Sequence, residues 1–460
     1  MSIRGVLAAV ALLGGLLSPL APVGAAGPAP RTIPRPAVIG PIKGGVQGHP
    51  FAGMAREPGM GGYVESEYFT KGNAVAYDAS PDDLASTHPA PPPPGQAPYE
   101  TRILVRRPAD PARFNGTVIV EWLNVTSGYD VDAAWADMRA EIVRGGFAYV
   151  AVSAQLVGVD ALKAWDPTRY DRLVHPGDPY SYDIYSQAVQ AVRHPGTVRP
   201  LGPLRVHHVI ATGDSQSGTA LNHYVNNVQP RIRSVVDGFL VITSADVVHG
   251  QRVPVMQILT EEEVDRATRQ KNTPLFRQWQ IAGASHSDKN QGDYLRQTQN
   301  RDFDMPRTVN WPLTPADVPG PNGDDCLMGR FPKSLAEHAA LEEMNRWVAG
   351  GPPPPKAPRI KVRNGAVVRD HNGNAKKGLR LPDLDVPTAA YYGEATKECA
   401  FTLGKTVPFS LRKLYRIYPS HTGYVHLVQQ AAAASVRAGY LLPDDAHDVV
   451  VAAQDSFIGE

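Results

Sequence analysis

The stretch Val206-His-His-Val-Ile-Ala-Thr-Gly213-Asp-Ser215-Gln-Ser-Gly218 decides the fold. Its first six residues form a short apolar, β-branched run, Gly213 interrupts it, and residues 218–228 carry helical spacing. Strand, tight turn and helix in that order lift one side chain above the end of a sheet. A serine on such a turn also faces the N-terminus of the following helix, where developing negative charge is favoured. Small residues two places before and after the serine let strand and helix approach each other. Gly213 and Ser217 fill those places around Ser215, giving G-x-S-x-S where a second glycine is usual. Moving the nucleophile to Ser217 would put Ser215 and Thr219 there, a poorer fit. Ser215 is therefore the expected nucleophile, but an isolated G-x-S is common and needs partners.

Working outward, short apolar runs at 117–122, 148–152, 206–211, 235–242, 253–259 and 279–282 alternate with helical patterns at 133–145, 182–193 and 218–228. A longer helix is expected over 335–348, stopped by Gly350-Gly351. Near-continuous apolar strands alternating with helices imply an α/β fold with a mostly parallel sheet covered on both faces. Further upstream, 63–78 and 99–107 show β-type alternation, with the proline run Pro89-Ala-Pro-Pro-Pro-Pro94 expected in the loop between them. A second run, Pro352-Pro-Pro-Pro355, separates this block from roughly the last hundred residues. No internal repeat is visible.

A serine nucleophile needs a base, and the base needs an orienting carboxylate. On a sheet of this kind they follow in the order Ser, acid, His, each at a strand's carboxyl end. The run 253–259 ends in Thr260-Glu-Glu-Glu263, and the next ends in Gly283-Ala-Ser-His286. His286 is the expected base. The acid is Glu263, by counting from Pro254, with Glu261 as its rival; Glu262 is expected to point away. The oxyanion donors are expected to be the backbone N–H of Gln216, after the nucleophile, and one at Leu123 or Asn124, after the 117–122 strand.

The 460 residues allow one large α/β domain or two to three smaller ones, and 42% hydrophobic residues are enough for a core. With 46 Lys+Arg against 45 Asp+Glu, there is no basic footprint for nucleic acid or an anionic membrane. Arg4, the apolar run 6–17 and Val23-Gly24-Ala25-Ala26 form a secretory signal peptide, placing the mature chain in the periplasm or outside the cell. In that compartment a Cys326–Cys399 disulfide is chemically permissible, closing a loop of roughly 73 residues worth about 4 kcal/mol; two unrelated buried thiols are the equal alternative. The expected organisation is leader 1–26, core 27–351 and extension 352–460.

These residues resemble a known group, the bacterial exported alpha/beta hydrolase domain family. The likeness runs through Val120-Glu-Trp-Leu-Asn-Val-Thr-Ser-Gly128, Arg169-Tyr-Asp-Arg-Leu-Val-His-Pro-Gly-Asp178, Ser181-Tyr-Asp-Ile184, Gly213-Asp-Ser-Gln-Ser-Gly218, Thr260-Glu-Glu-Glu-Val264 and Ala282-Gly-Ala-Ser-His286. It continues through Arg346-Trp-Val348, Leu379-Arg-Leu-Pro-Asp-Leu-Asp-Val-Pro387 and Pro408-Phe-Ser410, nearly the whole mature chain. The resemblance implies an alpha/beta-hydrolase fold, a Ser-acid-His triad on Ser215 and His286, and a tail integral to the fold. It leaves the acid open, because such sequences often read Glu-x-Asp where this one reads Glu261-Glu-Glu263.

The expected activity is that of an exported serine hydrolase cleaving carboxylic esters through an acyl-enzyme. A serine peptidase or amidase, or a non-catalytic hydrolase-like binding protein, are the alternatives. Tyr170, His175 and Asp178 lie where such folds often insert lid or pocket segments and are candidates for lining the site. No metal cluster, P-loop or dinucleotide fingerprint stands out, so no cofactor is expected. The expected partner is a small-molecule ester, with no nucleic acid and no membrane once the leader is removed.

Overall fold

A computed structural model describes residues 29–55, 57, 60–77, 95–264, 270–303, 328–394 and 402–460. The expected leader, the first proline run, Cys326 and Cys399 lie outside the described residues. Nine strands form one sheet in the order β1-β2-β3-β5-β4-β6-β7-β8-β9. They are β1 (Ala37–Ile39), β2 (Tyr63–Val75), β3 (Gln96–Pro108), β4 (Thr117–Trp122), β5 (Ala148–Val152), β6 (His208–Asp214), β7 (Gly238–Ile242), β8 (Val255–Leu259) and β9 (Phe276–Gln280). Strands β4 to β9 run parallel, and β1, β2 and β3 join them antiparallel at one edge.

The pleat explains why the parallel strands read as unbroken apolar runs. Ile119 faces one core cluster while Val118 and Val120 face the other, so both faces must be covered. Helices α1 (Ala133–Arg144) and α6 (Lys333–Val348) cover the first face, burying Trp135, Met138, Ile142 and Met344. Helices α3 (Ser181–Arg193) and α4 (Gln216–His223) cover the second, with Tyr182, Tyr185 and Val189 packed on the sheet. Between them in the chain lie α2 (Leu156–Trp165) and α5 (Lys289–Asp302). Two fully buried arginines on β3 fix the segment after β4. Arg102 Nη2 reaches Asp130 Oδ2 at 3.0 Å, and Arg106 Nη1 reaches Asp132 Oδ2 at 2.6 Å.

Strand β9 begins three residues before the expected run because its polar residues are satisfied sideways. Gln278 Nε2 donates to Gln257 Oε1 at 3.1 Å, and Gln280 Nε2 donates to Gln278 Oε1 at 3.2 Å. The carbonyls of Pro354 and Pro355 accept from Arg277 Nε (2.6 Å) and Trp279 Nε1 (2.7 Å), so the second proline run lies along this strand. Beyond it, Leu379 pairs with Ile281 in parallel, and Leu379, Leu381, Leu384 and Tyr391 enter the same core cluster as Trp279. Helices α7 (His421–Ala438) and α8 (Pro443–Gln454) close the tail, and Ala432 and Ala446 join that cluster too. None of the helices among the described residues is long and apolar enough to cross a membrane.

Candidate active site

Strand β6 ends at Asp214 and α4 starts at Gln216, so Ser215 makes the whole turn. It does so at φ 61°, ψ −119°, a conformation that costs a side-chain-bearing residue on the order of 1–3 kcal/mol. The surroundings hold it there. Ser215 N–H donates to Ile242 O of β7 at 3.0 Å, and Thr219 N–H donates to Ser215 O at 2.9 Å. A Cβ on Gly213 would come within 2.7 Å of Ser217 O, and one on Gly218 within 2.7 Å of Ile242 O, so only glycine permits this approach. Ser217 is fully buried. Its Oγ accepts from Asp214 N–H (2.9 Å) and donates to Asp214 O (3.0 Å), which commits it to the turn.

The three glutamates after β8 part company. Glu263 Oε1 lies 2.7 Å from His286 Nδ1, and its Oε2 accepts from both the N–H and the hydroxyl of Thr260 at 2.8 Å. Glu261 faces elsewhere: Oε1 accepts from Gly283 N–H (2.6 Å), and Oε2 from Gly393 N–H (3.0 Å) and Arg369 Nη2 (2.7 Å). Glu261 thus fastens the tail to the core. Burial alone would push the Glu263 carboxyl up, but His286 and Thr260 hold it below its ordinary range. Burial opposes charge on His286 as well, yet Glu263, with help from Asp214, raises the imidazole above its usual value.

Ser215, Glu263 and His286 line one open cavity of about 520 Å³, together with Thr219, Thr243, Ser244 and Asp246. A smaller cavity of about 330 Å³ among the tail residues Pro382, Asp383, Val386, Tyr424 and Val428 lies apart from these groups. Gln216 opens α4, next to Ser215. The expectation for Leu123 and Asn124 needs correction. Leu123 N–H donates to Val152 O (3.3 Å), continuing the β4–β5 ladder, and Asn124 N–H to Val131 O (3.0 Å), where the segment after β4 closes on itself. Asn124 contributes its side chain instead, Nδ2 donating to Asp214 O at 2.9 Å and steadying the turn. The next amide, Val125 N–H, meets Gln216 Oε1 at 3.3 Å.

Tyr170, His175 and Asp178 do not reach this cavity, and their expected role is corrected likewise. Tyr170 is buried, its hydroxyl donating to Glu67 Oε1 (2.7 Å) and accepting from Phe51 N–H (3.1 Å). His175 Nε2 meets Ala154 O at 2.9 Å, and burial pushes its imidazole down to about 4. Asp178 Oδ1 accepts from Leu156 N–H at 2.9 Å, at the start of α2. Tyr170 ties the stretch between β5 and α3 to its neighbours, and His175 and Asp178 close that stretch on itself.

Beneath the turn lies a buried charge group that motif reading passes over. Lys333 Nζ sits 2.5 Å from Asp137 Oδ2 and 3.1 Å from Glu337 Oε1, all fully buried. Gln291 Nε2 bridges Asp137 Oδ2 (2.7 Å) and Asp214 Oδ2 (3.0 Å), connecting this group to the residue before Ser215. Thr243 donates its hydroxyl to the other oxygen of Asp214. Among the described residues no group of three or more His, Cys, Asp or Glu is arranged to hold a metal ion.

Residues 38–451 match the family described as "Alpha/beta hydrolase domain". The chain belongs to the alpha/beta hydrolase family. Solved structures similar to this hydrolase include an alpha-beta serine hydrolase homologue from Coxiella burnetii, at 12% identity and TM-score 0.29, covering 45% of this chain and 92% of that one. A putative dienelactone hydrolase from Klebsiella pneumoniae subsp. pneumoniae MGH 78578 aligns at 13% identity and TM-score 0.30, over 61% of this chain and 98% of that one. The esterase Est22 aligns at 11% identity and TM-score 0.27, over 44% and 65%. No curated protein matches the chain.

Proposed function

We propose that this hydrolase cleaves carboxylic esters with Ser215 as nucleophile, His286 as base and Glu263 as the orienting acid. One observation carries the reading: the imidazole held 2.7 Å from a buried carboxylate lines the same cavity as the serine on the strained turn. With Nδ1 turned to Glu263, Nε2 is the nitrogen left to serve Ser215. Ser215 Oγ bonds to the ester carbonyl carbon as its proton passes to His286 Nε2. The C–O bond to the alcohol then breaks, and the alcohol leaves with that proton. Water repeats the sequence on the acyl-enzyme, giving the acid and restoring Ser215. Glu263 stabilises the imidazolium formed in each half.

The Gln216 N–H is the proposed first donor to the oxyanion. Val125 N–H is the proposed second, reached when the Gln216 side chain gives way to substrate. The leader at 1–26 supports export, and the mature protein is proposed to act in the periplasm or outside the cell. A fluorophosphonate should label the folded protein on one serine, with labelling abolished in Ser215→Ala. Folded wild type that stays unlabelled would refute the assignment.

A further inference from the structure

One wall of the cavity is a chain of hydrogen bonds with a direction. Gln257 Nε2, fully buried at the centre of β8, donates to Asp246 O (2.7 Å) and to Asn222 Oδ1 (3.1 Å). Asn222, so oriented, donates through Nδ2 to Ser244 Oγ at 2.8 Å. Ser244 Oγ lies 3.0 Å from Asp246 Oδ2 and 2.9 Å from Thr219 Oγ1. A carboxylate accepts and cannot donate, so the single Ser244 proton points to Asp246, and Thr219 must spend its own proton on Ser244. Both hydroxyl protons of the wall are therefore consumed along the chain, that of Thr219 on Ser244 and that of Ser244 on Asp246. Thr219 and Asp246 thus present acceptors to the cavity: the lone pairs of Thr219 Oγ1 and the other oxygen of the exposed Asp246.

No Lys, Arg, Phe, Tyr or Trp side chain among the described residues lines this cavity, and Ala245 and Val247 are its apolar groups. Among the described residues nothing there neutralises a second anion or sheathes a long alkyl chain. Resting on the ester reading above, we infer that the site selects small esters whose acyl group carries a hydrogen-bond donor, a hydroxyl or an ammonium, facing Thr219 and Asp246. Such a donor meets acceptors already held in place, whereas an alkyl group leaves them desolvated and unpaired.

Four methyl esters test this on the full chain, with kcat/KM read by pH-stat titration. They are the 3-hydroxybutanoate, the 3-aminobutanoate, the isosteric 3-methylbutanoate and monomethyl succinate. The hydroxy and amino esters are expected to exceed the 3-methyl isostere by about tenfold or more, with the succinate slowest. Asp246→Asn should shrink the amino ester's advantage over its isostere by about tenfold, and the hydroxy ester's by less, since an amide oxygen still accepts. A preference for the hydroxyl alone would assign a hydroxy-acyl substrate, and one for the amine alone an amino-acyl substrate. Equal or better turnover of the 3-methyl ester, or ratios untouched by Asp246→Asn, would overturn the inference while leaving the ester reading intact. Failure of all four esters together with an unlabelled Ser215 would overturn both.

Discussion

Lys333→Met probes the buried charge group beneath Ser215. The replacement keeps an unbranched side chain of similar length and removes the cation between Asp137 and Glu337. Asp288 and Asp214 add further buried carboxylates nearby, and Asp137 Oδ1, Glu337 Oε2 and Asp288 Oδ2 have no hydrogen-bond partner among the described residues. In the intact protein burial disfavours charge on Lys333, but Asp137 and Glu337 outweigh it and hold the ammonium well above its usual value. Breaking a buried pair by removing one partner costs about 3–5 kcal/mol. The carboxylates have an escape, however, since each can take up a proton. At pH 7 protonating a carboxyl of ordinary pKa near 4 costs about 4 kcal/mol, falling by about 1.4 kcal/mol for each pH unit below that.

The expected loss of stability is therefore about 3–4 kcal/mol at pH 7 and about 1–1.5 kcal/mol at pH 5. The sign follows from linkage. Burial raises the Asp137 and Glu337 carboxyls in the folded state, and losing Lys333 raises them further. The folded variant then holds protons that the unfolded chain releases, so its stability falls as pH rises above the ordinary carboxyl range. Urea unfolding followed by circular dichroism at pH 5, 6 and 7, variant against wild type, measures this. A deficit under about 1 kcal/mol at pH 7, or one that does not change with pH, would refute the reasoning.

The two rival glutamates separate by assay. Glu263→Gln should lower kcat by about 10³–10⁴-fold with little change in stability, because the amide no longer stabilises the imidazolium. Glu261→Gln should keep kcat within a few-fold yet cost about 1–3 kcal/mol in urea, since Arg369 loses its buried partner. The reverse pattern would exchange their roles. The base must be neutral to act, so kcat/KM should rise with pH with a midpoint above about 6.5, and Glu263→Gln should lower that midpoint. A wild-type midpoint below the ordinary imidazole value would contradict the Glu263–His286 pairing.

The turn at Ser215 was legible in the chain because its causes are local. An apolar run, a glycine two residues before the serine and a helical pattern after it all lie within residues 206–228, and the backbone there has few alternatives. The parallel strands were legible for the same kind of reason, since a strand buried on both faces must be apolar throughout. Strand β9 was read three residues late because Arg277 and Gln278 look like solvent residues until the second proline run and β8 are beside them.

What only the tertiary structure decided depends on partners distant in sequence. Glu261 and Glu263 are chemically identical and two residues apart; one meets Arg369 and Gly393 from the tail, the other His286. The amides of Leu123 and Asn124 are consumed by Val152 and Val131, and a backbone donor carries no side-chain signature of its engagement. Tyr170, His175 and Asp178 have the chemistry of pocket residues but are spent on Glu67, Ala154 and Leu156. Sequence by itself determined where a nucleophile and a base could stand, because strand, turn and helix are written in short-range periodicity. Folding decided which carboxylate meets His286 and which groups face the cavity, because a polar atom is defined by what it is bonded to, and those partners lie outside the short-range pattern that a strand or a turn leaves in the sequence.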